Sequence, residues 1–361
     1  MLLASNPRIR MLIANSAPVA IGVSGGKDSQ AAALSVFEHL DRAGHIGPRI
    51  LVHSDLGSVE WRDSLPVCRK LADHLEVELV VLRRERGDLM DRWESRWQSS
   101  VTRYQDLSTV TLVPCWSTPS MRFCTSEMKT HPIEAMLRRR YPAQPVINVT
   151  GVRRAESRRR ARLEVAEQSR EGRIWNWRPI LDWSEDEVFA CIARHGQEPH
   201  PAYREFGMSR VSCRFCIMSS LQDLIAAARQ EEAQEIYRRM VSLEIRSSFA
   251  FQGARWLGDI APQLLVQEDR RRLAAAKARA ARRVELERQI SPAMLYVRGW
   301  PTRMLTDGEA EILASVRRGV TELFGFRSRC LDREAIHARY AELLDERASR
   351  SPDAGLKLRA P

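Results

Sequence analysis

The sequence contains no stretch approaching the roughly 18 unbroken apolar residues that a membrane-crossing helix needs. Its opening, "MLLASNPRIRMLIANSAPVAIGV", is broken by polar residues and proline, so it holds no clear signal-peptide core and runs directly into a first strand. The expectation is a cytoplasmic protein with no membrane among its partners. No internal repeat of useful length is present, which leaves no basis for a repeat architecture. Cysteine is sparse: seven among 361 residues argue against a disulfide framework and toward metal binding or ordinary burial.

Positive charge, by contrast, is plentiful. Lys and Arg number 57 against 46 Asp and Glu, a formal charge of +11, which favours anionic partners such as a nucleotide, a nucleic acid or an acidic protein. The same surplus also describes a merely solvated arginine-rich surface, because net charge does not say where the charge sits. The length suits a catalytic domain with a smaller appendage.

From residue 19 to about 183, short β-type apolar runs alternate with helix-type runs, the pattern of a parallel sheet wrapped by helices. The predicted strands are 18–23, 49–55, 77–83, 145–152 and 175–181. The expected fold is therefore α/β: a Rossmann-like five-stranded parallel sheet with helices on both faces, followed by a helical C-terminal region. Ser184 with Glu187 and Thr306 with Glu309 have capping-box spacing and mark two helix starts. After about 220 the sequence turns polar, alanine- and arginine-rich and strand-free, so domains are expected at 1–220 and 221–361. The run at 268–289 reads as a helix whose cations either face water or contact nucleic acid.

In open α/β sheets ligands collect beyond the carboxyl ends of the strands. "VSGGKDS" (23–29) lies there, between the first strand and a helix. A glycine-rich turn of this kind presents successive backbone N–H groups to an anion, and the helix dipole adds positive potential. Gly25 and Gly26 let the backbone approach closely, and Lys27 supplies a cation. Adjacent glycines with an immediate lysine do not make the G-x-x-x-x-G-K-[ST] loop. "SGGKDS" instead resembles the pyrophosphatase loop (PP-loop) of the adenine nucleotide α-hydrolase-like superfamily.

Four more segments narrow the likeness: "HSDLGSVEW" (53–61), "MRFCTSEMKTHP" (121–132), "GVRRAESRRR" (151–160) and "WRPILDWSEDEV" (177–188). Together they resemble the phosphoadenosine phosphosulfate (PAPS) reductase-like family across residues 19–220. The resemblance implies that Ser24, Gly25, Gly26, Lys27, Asp28 and Ser29 bind phosphates, that Asp55 lies near the nucleotide, and that Gly151 and Arg153 face the same crevice. Lys27, Asp28 and Arg153 are the implied catalytic residues. Arg153 at a strand end can hold an anionic oxygen bidentately, and Gly151 beside it is expected to leave room for ligand.

Cys213 and Cys216 form C-x2-C, and Cys115 and Cys124 form C-x8-C. Four thiolates suit zinc or a [4Fe-4S] cluster, and spacing alone leaves both open. The resemblance favours the cluster, since the C-x8-C spacing is close to that of the PAPS-reductase-like component of bacterial DNA phosphorothioation systems. Cys68 and Cys191 read as buried helical thiols. Cys330 has arginine neighbours but lacks the E-C-G-x-H setting of true sulfonucleotide reductases.

The resemblance thus implies an enzyme that cleaves ATP to AMP and pyrophosphate with Mg²⁺, activating an acceptor, DNA or RNA, for sulfur transfer. A cysteine desulfurase would be the sulfur donor. The alternatives are a PAPS or adenylyl-sulfate reductase using a thiol donor such as thioredoxin, and a nucleotide-binding accessory subunit. His53, His131 and His200 read as hydrogen-bonded structural residues.

Overall fold

A computed structural model describes residues 2–350 of the chain. Six strands form one sheet in the order β3-β2-β1-β4-β6-β5. They are β1 Val19–Val23, β2 Arg49–Asp55, β3 Glu78–Arg83, β4 Val146–Thr150, β5 Ala166–Gln168 and β6 Ile174–Trp177. The first helices are α1 Pro7–Ala14, α2 Lys27–Arg42, α3 Ser64–His74 and α4 Leu89–Gln105. A π turn at Ser126–Thr130 joins α5 Phe123–Thr125 to α6 His131–Arg140. Then come α7 Glu185–Arg194, α8 Pro201–Arg204, α9 Leu221–Ala228 and α10 Gln234–Ser247. The last three are α11 Gln267–Glu287, α12 Asp307–Phe324 and α13 Arg333–Ser349.

The five predicted strands are present and mutually parallel, but the sheet has a sixth. Strand β5 is antiparallel to β6 and lies in a stretch to which the sequence reading assigns no element. Three residues, two of them exposed polar ones on a sheet edge, carry no alternation that a sequence pattern could show.

Side-chain alternation sets the two layers. Val19, Ile21 and Val23 of β1 join the core formed with α1, α2, α3 and α7, while Ala20 faces the opposite core with Met136 and Leu137 of α6. Helix α2 is buried along almost its whole first half, consistent with the run "AAALSVF", because α7 packs against it. The chain runs outward from β1 to β2 and β3, then returns to β4 on the other side of β1. The crevice between β1 and β4 is thus the topological switch point, where ligands bind in folds of this kind.

The described chain divides into two compact units, and not at residue 220. One comprises residues up to 90 with 117–238; the other comprises 91–116 with everything described from 239 onward. The segment 91–116 joins the C-terminal helices because its aromatics belong to their core. Trp93 meets Trp116 and Phe251, and Trp97 meets Phe249, at ring-centroid distances of 5.3, 6.2 and 6.1 Å. The indole N–H of Trp116 donates to the Phe249 carbonyl at 2.8 Å. Within this second unit the buried Arg317 donates to the carbonyls of Cys330 and Tyr104 at 2.8 and 2.7 Å.

Glu244 is a second internal staple. Its fully buried carboxylate accepts the backbone N–H groups of Phe251, Leu257 and Gly258 at 2.8, 2.7 and 3.0 Å. Unpaired buried donors cost about 1–3 kcal/mol each. Glu244→Ala is therefore expected to lose several kcal/mol of stability in denaturant unfolding, and Glu244→Gln, which keeps one carbonyl acceptor, distinctly less.

Candidate functional site

The turn after β1 is locked by its own side chains. Ser24 N–H donates to Ser29 Oγ at 3.2 Å, and that hydroxyl donates to the Gly26 carbonyl at 2.9 Å. Gly25 has φ +74°, a conformation that glycine adopts without strain, and a Cβ there would crowd Ser64 and His200. Gly26 is the N-cap of α2, and Lys27 is its first helical residue.

Lys27 is buried, and its ammonium group is surrounded by specific partners. Nζ donates to the Ser209 carbonyl at 3.4 Å and lies 3.7 Å from Glu185 and 3.9 Å from Asp28. It also sits over the Tyr203 ring, 4.7 Å from the centroid. Arg153, buried as well, pairs with Asp28 through Nε and stands 3.6 Å from Glu185 through a terminal nitrogen. Two cations and two carboxylates thus interlock at the end of β1 and β4.

Gly151 does not make room for a ligand in the way its sequence position suggests. A Cβ on it would lie 2.4 Å from the Asp28 carbonyl oxygen and 2.6 Å from the Ser29 nitrogen. The glycine lets β4 run against the first turn of α2, which is what brings Arg153 to Asp28. Asp55, at the same sheet edge, is engaged locally: it accepts the Gly57 N–H at 2.7 Å and the Arg83 Nε–H at 2.9 Å. Burial raises its pKa, but the bonds to Arg83 and Gly57 outweigh that and hold it below the ordinary carboxylate value. It ties the ends of β2 and β3.

Sequence reasoning missed Glu185, Tyr203 and Ser209. Glu185 lies inside the quoted "DWSEDEV" but reads there as a helix-start acid. Tyr203, in the short helix α8, and Ser209, in the loop after it, stand more than 175 residues from Lys27 and belong to no motif. His200 is fully buried; its Nδ1 accepts the Ala202 N–H at 3.0 Å, and Nε2 is 3.5 Å from Ser64 Oγ.

The cysteines divide between the units. Cys124, Cys213 and Cys216 belong to the sheet-bearing unit and Cys115 to the other. Burial pushes the Cys213 thiol well up; the nearby Cys216, Glu60 and Cys124 push the same way and Lys129 opposes them. Cys216 Sγ accepts the Met218 N–H at 3.4 Å. Cys115 is buried beside Ser247 Oγ, 3.7 Å away, and burial pushes its thiol up to about 12. Among the described residues no group of three or more His, Cys, Asp or Glu side chains is arranged to hold a metal ion. The donor chemistry of Cys124, Cys213 and Cys216, the three cysteines of the quartet that lie in the sheet-bearing unit, fits a thiophilic group. Cys68, Cys191 and Cys330 are buried.

Residues 18–219, more than half of the chain, match the model of the phosphoadenosine phosphosulfate reductase domain. The chain belongs to that family. An uncharacterized 37.8 kDa protein of Escherichia phage 186 is 30% identical over 249 residues, covering 61% of this chain and 70% of the phage protein. Two solved structures align at a TM-score of 0.37. The PAPS reductase of Candida auris in a phosphate complex is 13% identical and covers 59% of this chain and 98% of its own. The U34-tRNA thiolase NcsA of Methanococcus maripaludis with its [4Fe-4S] cluster is 14% identical and covers 66% of this chain and 77% of its own. Membership in the PAPS reductase domain family rests on the domain match. No helix among the described residues is long and apolar enough to cross a membrane.

Two outcomes are expected from this geometry. Gly151→Ala forces a methyl group into the Asp28 backbone; overpacking of this kind costs about 1–3 kcal/mol. The variant should melt several degrees lower and bind nucleotide at least tenfold more weakly by calorimetry. Burial lowers the pKa of His200 from 6.5 to about 4, so the folded state favours the neutral ring. Its stabilising contribution is present above 6.5 and is lost as pH falls from 6.5 toward 4. The melting temperature should drop across that window, and His200→Gln should flatten the part of the drop above pH 5.

Proposed function

We propose that the chain is a nucleotide-dependent enzyme of sulfur chemistry that cleaves ATP to AMP and pyrophosphate and thereby activates an acceptor for sulfur transfer. The observation that carries this reading is the intact "SGGKDS" turn, with buried Lys27 opening α2 and Arg153 beside it at the β1–β4 switch point. In the reaction, an acceptor oxygen bonds to the α-phosphorus while the α–β bridging P–O bond breaks. The electron pair leaves with pyrophosphate. Lys27 and the turn amides carry the charge that develops on that leaving group, aided by Mg²⁺ arriving with the nucleotide. Arg153, held by Asp28, is set to orient the α-phosphate.

Cys124, Cys213 and Cys216 are the residues of this unit that would hold an iron–sulfur group, or zinc in its place. Such a group, when bound, supplies a soft site for sulfur or electrons. A nucleic-acid acceptor is supported by the +11 charge and by Arg158, Arg159 and Arg162, which lie just beyond Arg153, with Arg158 and Arg159 exposed. These three have no ion pair among the described residues.

The competing reading, a sulfonucleotide reductase with a C-terminal nucleophilic cysteine, finds no support in Cys330. That thiol is buried, burial pushes its pKa up, and its carbonyl is occupied by Arg317.

Anaerobically purified protein should release AMP and pyrophosphate from ATP with Mg²⁺, faster with added tRNA or duplex DNA. Lys27→Ala should lower turnover at least a hundredfold. Sulfite release from PAPS or adenylyl sulfate with thioredoxin, and no AMP from ATP, would establish the reductase instead. Iron and sulfide analysis of the same sample, with and without Cys213→Ala, separates cluster from zinc.

A further inference from the structure

The loop between His200 and Ser212 lies across the phosphate turn and spends the turn's donors. Tyr203 Oη accepts the Lys27 N–H at 3.2 Å and the Val211 N–H at 3.1 Å. The Lys27 amide is the first of the donors that a helix leaves unpaired at its N-terminus, the place where an anion gains most from backbone and dipole together. Here a neutral phenol takes it. Burial pushes the Tyr203 hydroxyl up to about 12, so it carries no charge of its own at neutral pH. A Cβ on Gly26 would stand 3.5 Å from both Tyr203 Oη and the Val211 carbonyl, so the loop already occupies the open side of that glycine.

The two ends of the loop are fixed independently of the turn. Ser209 donates through N and Oγ to the carboxylate of buried Asp223, at 2.7 and 2.8 Å, and Ser220 holds the same carboxylate at 2.9 Å. His200, fully buried, caps the other end through Ala202. Between them stand exposed Arg204 and Glu205, then Gly207 at φ +67° with open space around it. Phe206, its ring tilted 35° to that of Trp61 at a centroid distance of 5.3 Å, is the contact that would yield if this stretch moved.

We propose that Tyr203 is a gate on the phosphate turn: its hydroxyl holds the Lys27 amide until an incoming polyphosphate displaces it, with the stretch between His200 and Ser209 yielding while both ends stay fixed. The gate rests on the reading of this turn as a nucleotide-phosphate site. Asp223 is then a positioning residue, since it anchors the Ser209 carbonyl that receives Lys27 Nζ.

The test is calorimetric titration of the full chain and its Tyr203→Phe variant with ATP and, for the phosphate portion alone, with inorganic pyrophosphate. Removing a competing acceptor that makes two hydrogen bonds should tighten both ligands about fivefold to tenfold. An unchanged or weaker affinity in a variant that keeps the wild-type circular dichroism spectrum overturns the gate. Amide hydrogen exchange of the wild-type protein tests the same idea without a variant. Pyrophosphate should slow exchange at Lys27 and speed it at Val211; protection at Lys27 with no change at Val211 overturns the gate while leaving the phosphate site standing. A wild-type protein that binds neither ligand overturns the nucleotide reading and the gate with it.

Discussion

The end of β4 lies against the first turn of α2 with no space for a methyl group between them, and the site depends on that contact. Gly151 permits it; any side chain there would meet the backbone of Asp28 and Ser29. Because the two backbones touch, the residue two positions further on, Arg153, reaches Asp28, and the cation opening the helix faces a second cation delivered by a different strand. The sheet register places this contact at the switch point, since β1 pairs with β4 through Val19↔Ile147 to Gly22↔Thr150. A glycine at a strand end is thus a statement about how closely two elements pack, and the Arg153–Asp28 pairing follows from it.

Most of the sheet was legible because its strands obey a period of two. Val19, Ile21 and Val23 serve one core and Ala20 the other, so β1 shows its burial in its residue types. The same reasoning failed at β5, where an exposed three-residue edge strand has nothing to alternate. The compact units are harder to read from sequence: only the partners of Trp93 and Trp97 show which core α4 serves.

The site divides along similar lines. Lys27, Asp28 and Arg153 could be found because each falls in a short contiguous motif, and the structure brings them together. Tyr203, Ser209 and Glu185 could not, because their roles arise from folding a remote loop and a helix start back onto the turn. Gly151 was visible but its role was not, since sequence cannot distinguish space left for a ligand from space filled by another backbone. The cysteines illustrate the opposite limit. Their spacing does not show that Cys115, buried beside Ser247, belongs to a different compact unit from Cys124, Cys213 and Cys216.

The charges around Lys27 constrain how a polyanion could enter. Lys27 and Arg153 supply two positive charges, and Asp28 and Glu185 cancel both, so the site presents little net attraction as it stands. A phosphate chain must therefore either bring its own cation or displace one carboxylate. The two carboxylates differ in this respect. The Asp28 side chain is only 18% exposed, and it lies in the turn that Gly151 clamps, paired to a buried arginine. Glu185 is 56% exposed at the solvent end of α7 and stands 3.6–3.7 Å from both cations, beyond normal hydrogen-bond length. Exposed pairs of that length are worth little, so Glu185 is the partner that yields. On the proposed reading, Asp28 keeps Arg153 aimed while Lys27 exchanges a weak carboxylate contact for phosphate oxygens.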